Sequence, residues 1–199
     1  MGYYILKYLF YPFIKLFWLD KISGLNNIPK KGSFIIVANH KSYLDFILLF
    51  TFIPRRISFL AAEVFFKSKL WHPIMKITGQ IKVDRESPNK GEVYKNVDRL
   101  FKKGGVLGIF PEGTRSRDGK LHKGYNGAVK FSFKYQVPII PIGLINTFDA
   151  FPPHSKKPRL VRCIINIGES FYLDSTDYDI ETSRLMNKIA KLSGEVYED

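Results

Sequence analysis

Two patterns of apolar positions alternate along this chain. Short apolar runs bounded by turn residues are typical of buried strands, whereas longer segments with a period near 3.6 are typical of helices. The predicted strands are Phe34–Ala38, Ile57–Ala61, Gln80–Val83, Val106–Phe110, Ile139–Ile145 and Val161–Ile167. The predicted helices are Tyr43–Thr51, Val64–Thr78, Lys90–Lys102, Asn126–Tyr135 and Ile180–Leu192. This alternation predicts an α/β fold whose mainly parallel sheet is covered by helices on both faces.

The N-terminal segment 1–20 has a different pattern, because it is nearly all apolar or aromatic and is interrupted chiefly by Lys7 and Lys15. Two lysines and Pro12 argue against a helix that crosses a membrane. We therefore expect an amphipathic helix at the membrane interface, with its lysines and tyrosines toward anionic lipid. The alternative is a helix that packs on its own domain. Residues 21–199 are predicted to form one domain, since no repeat or linker divides them.

Composition narrows the class of protein. The chain has 199 residues, of which 45% are apolar, so it is long and apolar enough for one folded domain. A single cysteine, Cys163, excludes an internal disulfide framework, and no group of histidines and cysteines has the spacing of metal ligands. The net charge of +13 predicts attraction to polyanions such as nucleic acid, an anionic membrane or phosphorylated ligands.

A histidine and an aspartate follow the first predicted strand, in the pattern Asn39-His40-x4-Asp45. An imidazole can act as a base near neutral pH, and a carboxylate bound to its second ring nitrogen fixes its tautomer. Ser42 and Asp45 also match a capping box, which would make this stretch an ordinary helix start. The pattern alone leaves both interpretations open.

A second polar cluster, Phe110-Pro111-Glu112-Gly113-Thr114-Arg115-Ser116, follows the predicted strand Val106–Phe110. Proline and glycine shape a tight exit from a strand and leave backbone N–H groups accessible. Thr114 offers a hydroxyl, and Arg115 offers a planar fork suited to phosphate. Ligands of α/β sheets collect at the carboxyl ends of strands, so we expect this cluster to share a site with His40. A solvated loop is the alternative.

At this point the chain resembles the membrane glycerophospholipid acyltransferases, in particular the 1-acyl-glycerol-3-phosphate acyltransferase (PlsC-like) family. Four blocks match in order across about residues 33–145. They are Asn39-His40-x4-Asp45, Gly79-Gln80-Ile81-Lys82-Val83-Asp84-Arg85, Phe110–Ser116 and Val137-Pro138-Ile139-Ile140-Pro141. The first and third blocks at this separation are the most specific.

The resemblance implies an O-acyltransferase that moves a fatty acyl group from an acyl thioester to a lysophospholipid, by default lysophosphatidic acid. His40 would be the general base, and Asp45 would orient it. The residues implied to bind the glycerol-phosphate part of the acceptor are Arg85, Glu112, Gly113, Thr114 and Arg115. The co-substrate would be acyl-CoA or acyl-acyl carrier protein, with no cofactor and no metal. The enzyme would act at the cytoplasmic face of an anionic membrane.

One departure from the family pattern bears on the acceptor. Ala62 occupies a position where the family often carries a lysine before its second block, so another lysolipid or hydroxyl lipid is an alternative acceptor. A basic nucleic-acid-binding protein would also suit the charge, but no nucleic-acid module is found and the N-terminal segment is too apolar. A catalytically inactive lipid-binding relative is disfavoured by the intact His40, Asp45 and Arg115.

Overall fold

The short apolar runs of the chain come together in one sheet. The computed structural model describes residues 2–84 and 89–197, and within them seven strands are hydrogen-bonded side by side. The strands are β1 (Leu19–Ser23), β2 (Phe34–Ala38), β3 (Ile57–Ala62), β4 (Ile81–Val83), β5 (Val106–Ile109), β6 (Ile139–Ile145) and β7 (Cys163–Ile167). The helices are α1 (Gly2–Trp18), α2 (Tyr43–Phe52), α3 (Glu63–Lys67), α4 (Trp71–Thr78), α5 (Gly91–Lys102), α6 (Gly127–Tyr135), α7 (Thr147–Ala150) and α8 (Tyr178–Ser193), and a short 3-10 helix covers Leu25–Asn27.

The strand order across the sheet is β1-β7-β6-β2-β5-β3-β4. Five neighbouring strands run parallel to one another: β6, β2, β5, β3 and β4. Strand β7 pairs antiparallel with β6, and β1 pairs parallel with β7 at the edge of the sheet. The predicted α/β fold with a mainly parallel sheet is therefore confirmed. Since parallel strands end at the same edge of a sheet, the loops that follow β2 and β5 begin side by side.

Strand β2 lies in the middle of the sheet and is buried on both faces. Phe34, Ile36 and Ala38 pack with side chains of α1 and α2, and none of the three has exposed surface. Ile35 and Val37 point the other way, into a second core formed with α5, α6 and α8. A strand covered on both faces is expected to be a continuous apolar run, which is why the sequence identified this strand so clearly.

Helix α1 packs on the protein through a face that includes a lysine. Tyr3, Lys7, Ile14 and Trp18 are buried, and the Lys7 ammonium donates a hydrogen bond to the Ile53 carbonyl. This carbonyl lies at the end of α2, where backbone oxygens lack helical partners and a cation is favourable. Burial lowers the pKa of Lys7 to about 8. The expectation that Lys7 faces lipid is therefore wrong.

The opposite face of α1 is apolar and exposed. Its large side chains that keep at least half of their surface in contact with solvent are Ile5, Tyr8, Leu9, Phe13 and Leu16. Across the described residues, no helix is both long and apolar enough to cross a membrane. The predicted role of this segment as a membrane-interface helix stays a prediction, and the face available for it is the exposed apolar face, with Lys15 also exposed on the helix.

The predicted helix Val64–Thr78 is two helices, α3 and α4. The break falls at residues 68–70, and the Trp71 N–H points to the Ser68 hydroxyl at 3.4 Å. Pro73, which has no N–H donor, lies in the first turn of α4, the part of a helix that tolerates it. A new helix start at this point therefore avoids the loss of a hydrogen bond inside a longer helix.

Candidate active site

Two loops meet at the carboxyl edge of the sheet. One follows β2 and carries His40, and the other follows β5 and carries residues 110–116. The Ser116 N–H donates to the His40 carbonyl at 2.8 Å, which joins the loops directly. The two polar clusters predicted to share a site therefore lie in contact.

The His40 and Asp45 side chains form a hydrogen-bonded pair. The distance from His40 Nδ1 to Asp45 Oδ2 is 2.9 Å, and the aspartate is fully buried. The N–H groups of Lys41 and Ser42 donate to the same oxygen at 2.6 and 2.7 Å. Because an ionised carboxylate only accepts hydrogen bonds, Nδ1 carries the hydrogen and Nε2 keeps its lone pair. The His40 side chain retains 18% of its surface exposed, as a base that meets a substrate requires.

Asp45 also belongs to a capping box at the start of α2. The Ser42 hydroxyl accepts from Leu44 N–H at 3.1 Å, and the Asp45 carboxylate accepts from the N-cap backbone. The Ser42 hydroxyl donates in turn to the Phe151 carbonyl at 2.7 Å. The two interpretations of this stretch, a helix cap and a histidine–aspartate pair, therefore hold together, because one carboxylate serves both.

Aromatic stacking fixes the plane of the His40 ring. The ring lies on Phe110, with centroids 4.0 Å apart and an angle of 15° between the planes. Phe110 is nearly parallel to Phe59, at 5.4 Å. A side chain at Gly108 would put a Cβ 2.4 Å from the Phe59 ring, so glycine is needed there for Phe59 to occupy this position. With Nδ1 bonded and one face covered, Nε2 is the polar atom that the ring can offer to a ligand.

Glu112 holds the two loops together. It is only 5% exposed, and its two oxygens accept from His40 N–H at 2.6 Å and from His122 N–H at 3.2 Å. Burial raises the pKa of Glu112 from its ordinary 4.5 to about 8, although the two backbone hydrogen bonds oppose the shift. The resemblance implies that Glu112 contacts the acceptor. Its carboxylate is instead directed to backbone donors, so its geometry favours a positioning role.

The raised pKa of Glu112 predicts a pH-dependent change in stability for Glu112→Gln. Below pH 4.5 the carboxyl is protonated in both folded and unfolded chains. Between pH 4.5 and about 8 the unfolded chain releases this proton while the folded chain retains it. Wild type should therefore lose stability relative to the variant across that window, by at most about 1.4 kcal/mol per pH unit. Urea denaturation of both proteins at several pH values measures this trend, and a pH-independent difference would contradict it.

Gly113, Thr114 and Arg115, the next residues of the second cluster, differ in solvent exposure. Gly113 has a φ of +70°, a backbone conformation that favours glycine, and its N–H donates to the Phe110 carbonyl at 3.1 Å. Thr114 is exposed. The Arg115 guanidinium lies 3.6 Å from the Tyr43 ring centroid, and its Nη1 is buried without a hydrogen-bond partner in the described part of the chain. A buried guanidinium nitrogen without a hydrogen-bond partner is suited to an anionic ligand.

Arg85, the other residue predicted to bind the acceptor, lies outside the described residues.

Two further polar contacts at the site were not predicted. Lys41 is buried, and its ammonium pairs with Glu195, which follows α8. The Asn39 amide joins β2 to β6 through both backbone groups of Leu144, at 2.8 and 2.9 Å. The partners are more than a hundred positions apart along the chain, so no local pattern could have indicated them.

His122 lies next to the site and has a carboxylate partner that was not foreseen. Its Nε2 is 2.8 Å from Asp118 Oδ1, and the same oxygen accepts from the Ser116 hydroxyl at 2.8 Å. The Lys120 N–H, which donates to the same oxygen at 3.1 Å, is the main cause of a lowered pKa of Asp118, and the Ser116 and His122 hydrogen bonds lower it further. Both side chains are about half exposed, so this pair closes a surface loop. Among the residues with described positions, no group of three or more histidine, cysteine or acidic side chains could hold a metal ion.

Fold and site together define an α/β protein that presents an oriented imidazole and a guanidinium at the carboxyl edge of a parallel sheet. Residues 21–145 match the family model described as acyltransferase. The chain belongs to the acyltransferase family, which confirms the resemblance seen in the sequence.

Similar proteins carry a more specific description. A chloroplastic 1-acyl-sn-glycerol-3-phosphate acyltransferase of Brassica napus is 32% identical over 148 residues, which are 73% of this chain and 42% of that protein. The 1-acyl-sn-glycerol-3-phosphate acyltransferase of Borreliella burgdorferi is 30% identical over 154 residues, which are 76% of this chain and 58% of that protein. The chain thus spans about half the length of these relatives.

A solved structure has the same fold. The crystal structure of the 1-acyl-sn-glycerophosphate acyltransferase PlsC from Thermotoga maritima matches with a TM-score of 0.80 and 22% identity. The match covers 99% of this chain and 81% of that one. The two proteins therefore share the fold.

Proposed function

We propose that this protein transfers a fatty acyl group from an acyl thioester to the free hydroxyl of lysophosphatidic acid, with phosphatidic acid as the product. One observation carries the proposal: a histidine oriented by a buried aspartate adjoins a loop whose arginine has an unpartnered buried nitrogen. The first group suits removal of a hydroxyl proton, and the second suits a phosphate. The names of the similar proteins support the same reaction.

The proposed step needs no acyl-enzyme. His40 Nε2 takes the proton of the acceptor hydroxyl while the hydroxyl oxygen attacks the thioester carbonyl carbon. Asp45 stabilises the imidazolium that forms and keeps it in the productive orientation. The tetrahedral intermediate then expels the thiolate, which takes the proton back from His40. An ester bond forms, a thioester bond breaks, and the protein returns to its initial state.

The proposed acceptor carries a phosphate, and Arg115 is its proposed ligand. Its guanidinium is held on Tyr43, the first residue of α2, so the fork is pre-organised close to Asp45 and His40. Thr114, with an exposed hydroxyl, and the backbone of Gly113 lie next to it in the chain. Arg85 is proposed for the same phosphate on the basis of sequence alone.

A second candidate acceptor, another lysolipid or hydroxyl lipid, is favoured by the surroundings of Ala62. Two lysines pair with Glu63, the residue after Ala62: Lys67 at 2.9 Å and Lys82 at 3.1 Å. Neither is therefore a simple replacement for a phosphate-binding lysine at position 62. A weaker phosphate site would suit an acceptor whose headgroup extends beyond the phosphate.

The proposed donor is acyl-CoA or acyl-acyl carrier protein, and the proposed location is the cytoplasmic face of a membrane. The charge of +13 favours both anionic donors and an anionic surface. The exposed apolar face of α1 favours contact with lipid. Neither feature distinguishes one donor from the other, and no cofactor enters the proposed reaction.

A turnover assay tests the proposal. Membrane vesicles supply lysophosphatidic acid, lysophosphatidylcholine or lysophosphatidylglycerol, and each is combined with acyl-CoA and with acyl-acyl carrier protein. We expect product chiefly with lysophosphatidic acid. Product only with another acceptor would move the assignment to the second candidate, and no acyl transfer with any combination would reject both.

Arg115→Gln should weaken acceptor binding without disabling the base. Removing a charge-assisted contact with phosphate costs about 1.5–3 kcal/mol, which corresponds to about a 10- to 100-fold rise in KM for lysophosphatidic acid. Arg117→Gln is the matched control, because Arg117 is exposed in the same loop. Kinetics with varied acceptor separate the two variants. An unchanged KM in Arg115→Gln would contradict the assignment of Arg115.

A further inference from the structure

The loop between α7 and β7 is rich in basic side chains. No acidic residue occurs between Asp149 and Glu169, whereas four basic residues do: Lys156, Lys157, Arg159 and Arg162. We call residues 154–162 the basic loop. Lys156, Lys157 and Arg159 are exposed, and no described acidic side chain pairs with them.

Hydrogen bonds fix the basic loop to the end of α1. Trp18 Nε1 donates to the Arg159 carbonyl at 2.9 Å. The Arg162 guanidinium donates to the Leu19 carbonyl at 3.0 Å and to the Leu16 carbonyl at 3.2 Å. These oxygens belong to the last turn of α1 and the residue that follows it, where a cation is favourable. Arg159 and Arg162 are thereby held at the end of α1, next to the exposed Leu16.

The basic loop contains one large apolar side chain that is mostly exposed. Leu160 is 72% exposed and lies between the cations Arg159 and Arg162 in sequence. Leu16, on the neighbouring turn of α1, is 63% exposed. Cations that flank protruding aliphatic side chains are typical of a surface that rests on anionic lipid headgroups with its apolar tips inserted.

Phe151, which lies between α7 and the basic loop, contacts the candidate active site. The Phe151 carbonyl accepts the hydrogen bond of Ser42, and the Phe151 ring lies 5.8 Å from that of Tyr43. The Tyr43 ring in turn contacts the guanidinium of Arg115. The Arg159 N–H donates to the Ala150 carbonyl, next to Phe151, at 2.7 Å. Contacts therefore connect α1, the basic loop and Arg115.

We propose that the basic loop is a second docking surface for an anionic bilayer, which together with α1 sets the orientation of the active site toward the membrane. This inference rests on the proposed membrane-surface function and assigns part of it to a loop. Continuity with the apolar face of α1 and the exposed Leu160 favour a bilayer over an acidic protein as the occupant. Arg162 contributes mainly by fixing α1, and Lys156, Lys157 and Arg159 face the lipid.

Vesicle binding of a Lys156→Glu/Lys157→Glu double variant tests the charge of the loop. The matched control is Lys30→Glu/Lys31→Glu, which reverses two adjacent exposed lysines before the amino end of β2. On phosphatidylcholine vesicles that contain phosphatidylglycerol, the loop variant should bind about 30-fold more weakly, and the control should bind like wild type. Unchanged binding of the loop variant overturns the proposal. An equal loss in both variants also overturns it, because bulk charge would then be the cause.

A single substitution tests insertion. Leu160→Ser should weaken binding about tenfold to vesicles with and without phosphatidylglycerol, since the loss is apolar. Ile180→Ser on α8, where Ile180 is 62% exposed, should have no effect. Equal binding of Leu160→Ser and wild type would show that no apolar insertion takes place and would overturn the proposal.

Turnover measurements separate this inference from the proposed function. With detergent-dispersed lysophosphatidic acid and acyl-CoA, the loop variant should match wild type, and with vesicles it should be slower. If wild type shows no turnover in either form, the proposed function fails while vesicle binding still tests the loop. If the loop variant keeps its vesicle binding but shows a raised KM for acyl-acyl carrier protein, an acidic protein occupies the surface and the proposal is overturned.

Discussion

His40→Ala should reduce acyl transfer about 100- to 10,000-fold while the protein keeps its fold and its affinity for vesicles. The loss is large because a general base contributes about 10²–10⁴ in rate, and His40 is the imidazole that the buried Asp45 orients. The fold should persist because the His40 backbone, which bonds to Glu112 and Ser116, is unchanged. The measurement is kcat with saturating acceptor and donor, together with a thermal melt.

A histidine outside the site provides the control for this prediction. His72 lies on α4 and is exposed, so His72→Ala should turn over like wild type. His40→Gln repeats the test with a side chain that keeps polarity but cannot accept a proton at neutral pH. Turnover of either His40 variant within tenfold of wild type would show that another group removes the proton.

Asp45→Asn should lose both activity and stability, which distinguishes it from His40→Ala. An amide accepts the Nδ1 hydrogen of His40 less well than a carboxylate does, and it can hold the imidazole in the wrong tautomer. In a serine hydrolase triad the same change lowers kcat about 10⁴-fold. The same oxygen also accepts from the N–H groups of Lys41 and Ser42, inside the protein. Weakening these charge-assisted bonds should cost about 2–3 kcal/mol of unfolding free energy.

Ser42→Ala separates the two roles of Asp45. It removes the capping hydroxyl but leaves the contact between His40 and Asp45 in place. We expect a loss of about 1 kcal/mol in unfolding free energy and a kcat within about tenfold of wild type. If Asp45→Asn behaved like Ser42→Ala in both measurements, Asp45 would be a helix cap alone, and the proposed orientation of His40 would have to be abandoned.

The sequence predicted the centre of the sheet and the candidate pair because their signals are local. Phe34–Ala38 is a continuous apolar run, and His40, Ser42 and Asp45 follow within seven positions. The structure agrees with this strand at both ends. A buried parallel strand followed by a capping box is recognisable without any knowledge of the rest of the fold.

Strand β1 was not predicted, because its signal is weak. Leu19–Ser23 includes Asp20 and Lys21, both exposed at the edge of the sheet, and its pairing with β7 is more than a hundred residues distant in sequence. We had assigned its first residues to the N-terminal helix segment. Edge strands with charged residues have little apolar periodicity, so tertiary pairing rather than local pattern defines them.

The orientation of α1 shows a different limit. Helical periodicity indicates which residues share a face, but it does not indicate which face meets the protein. Lysine is usually exposed, and this general tendency gave the wrong side for Lys7. The acceptor that makes its burial possible is the carbonyl of Ile53, at the end of another helix. Only the packing of α1 on α2 brings these atoms together.

Helix α1 ends at Trp18 and β1 begins at Leu19, with no residue between them. No linker residue separates the two elements, and Arg162 further ties the helix end to the sheet. A change in the tilt of α1 therefore also tilts the sheet. On a planar surface the protein would rock as a single rigid body, and the height of His40 above that surface would be set by geometry rather than by flexing of a tether. A substrate hydroxyl would then be selected by its depth below the headgroups as well as by its chemistry.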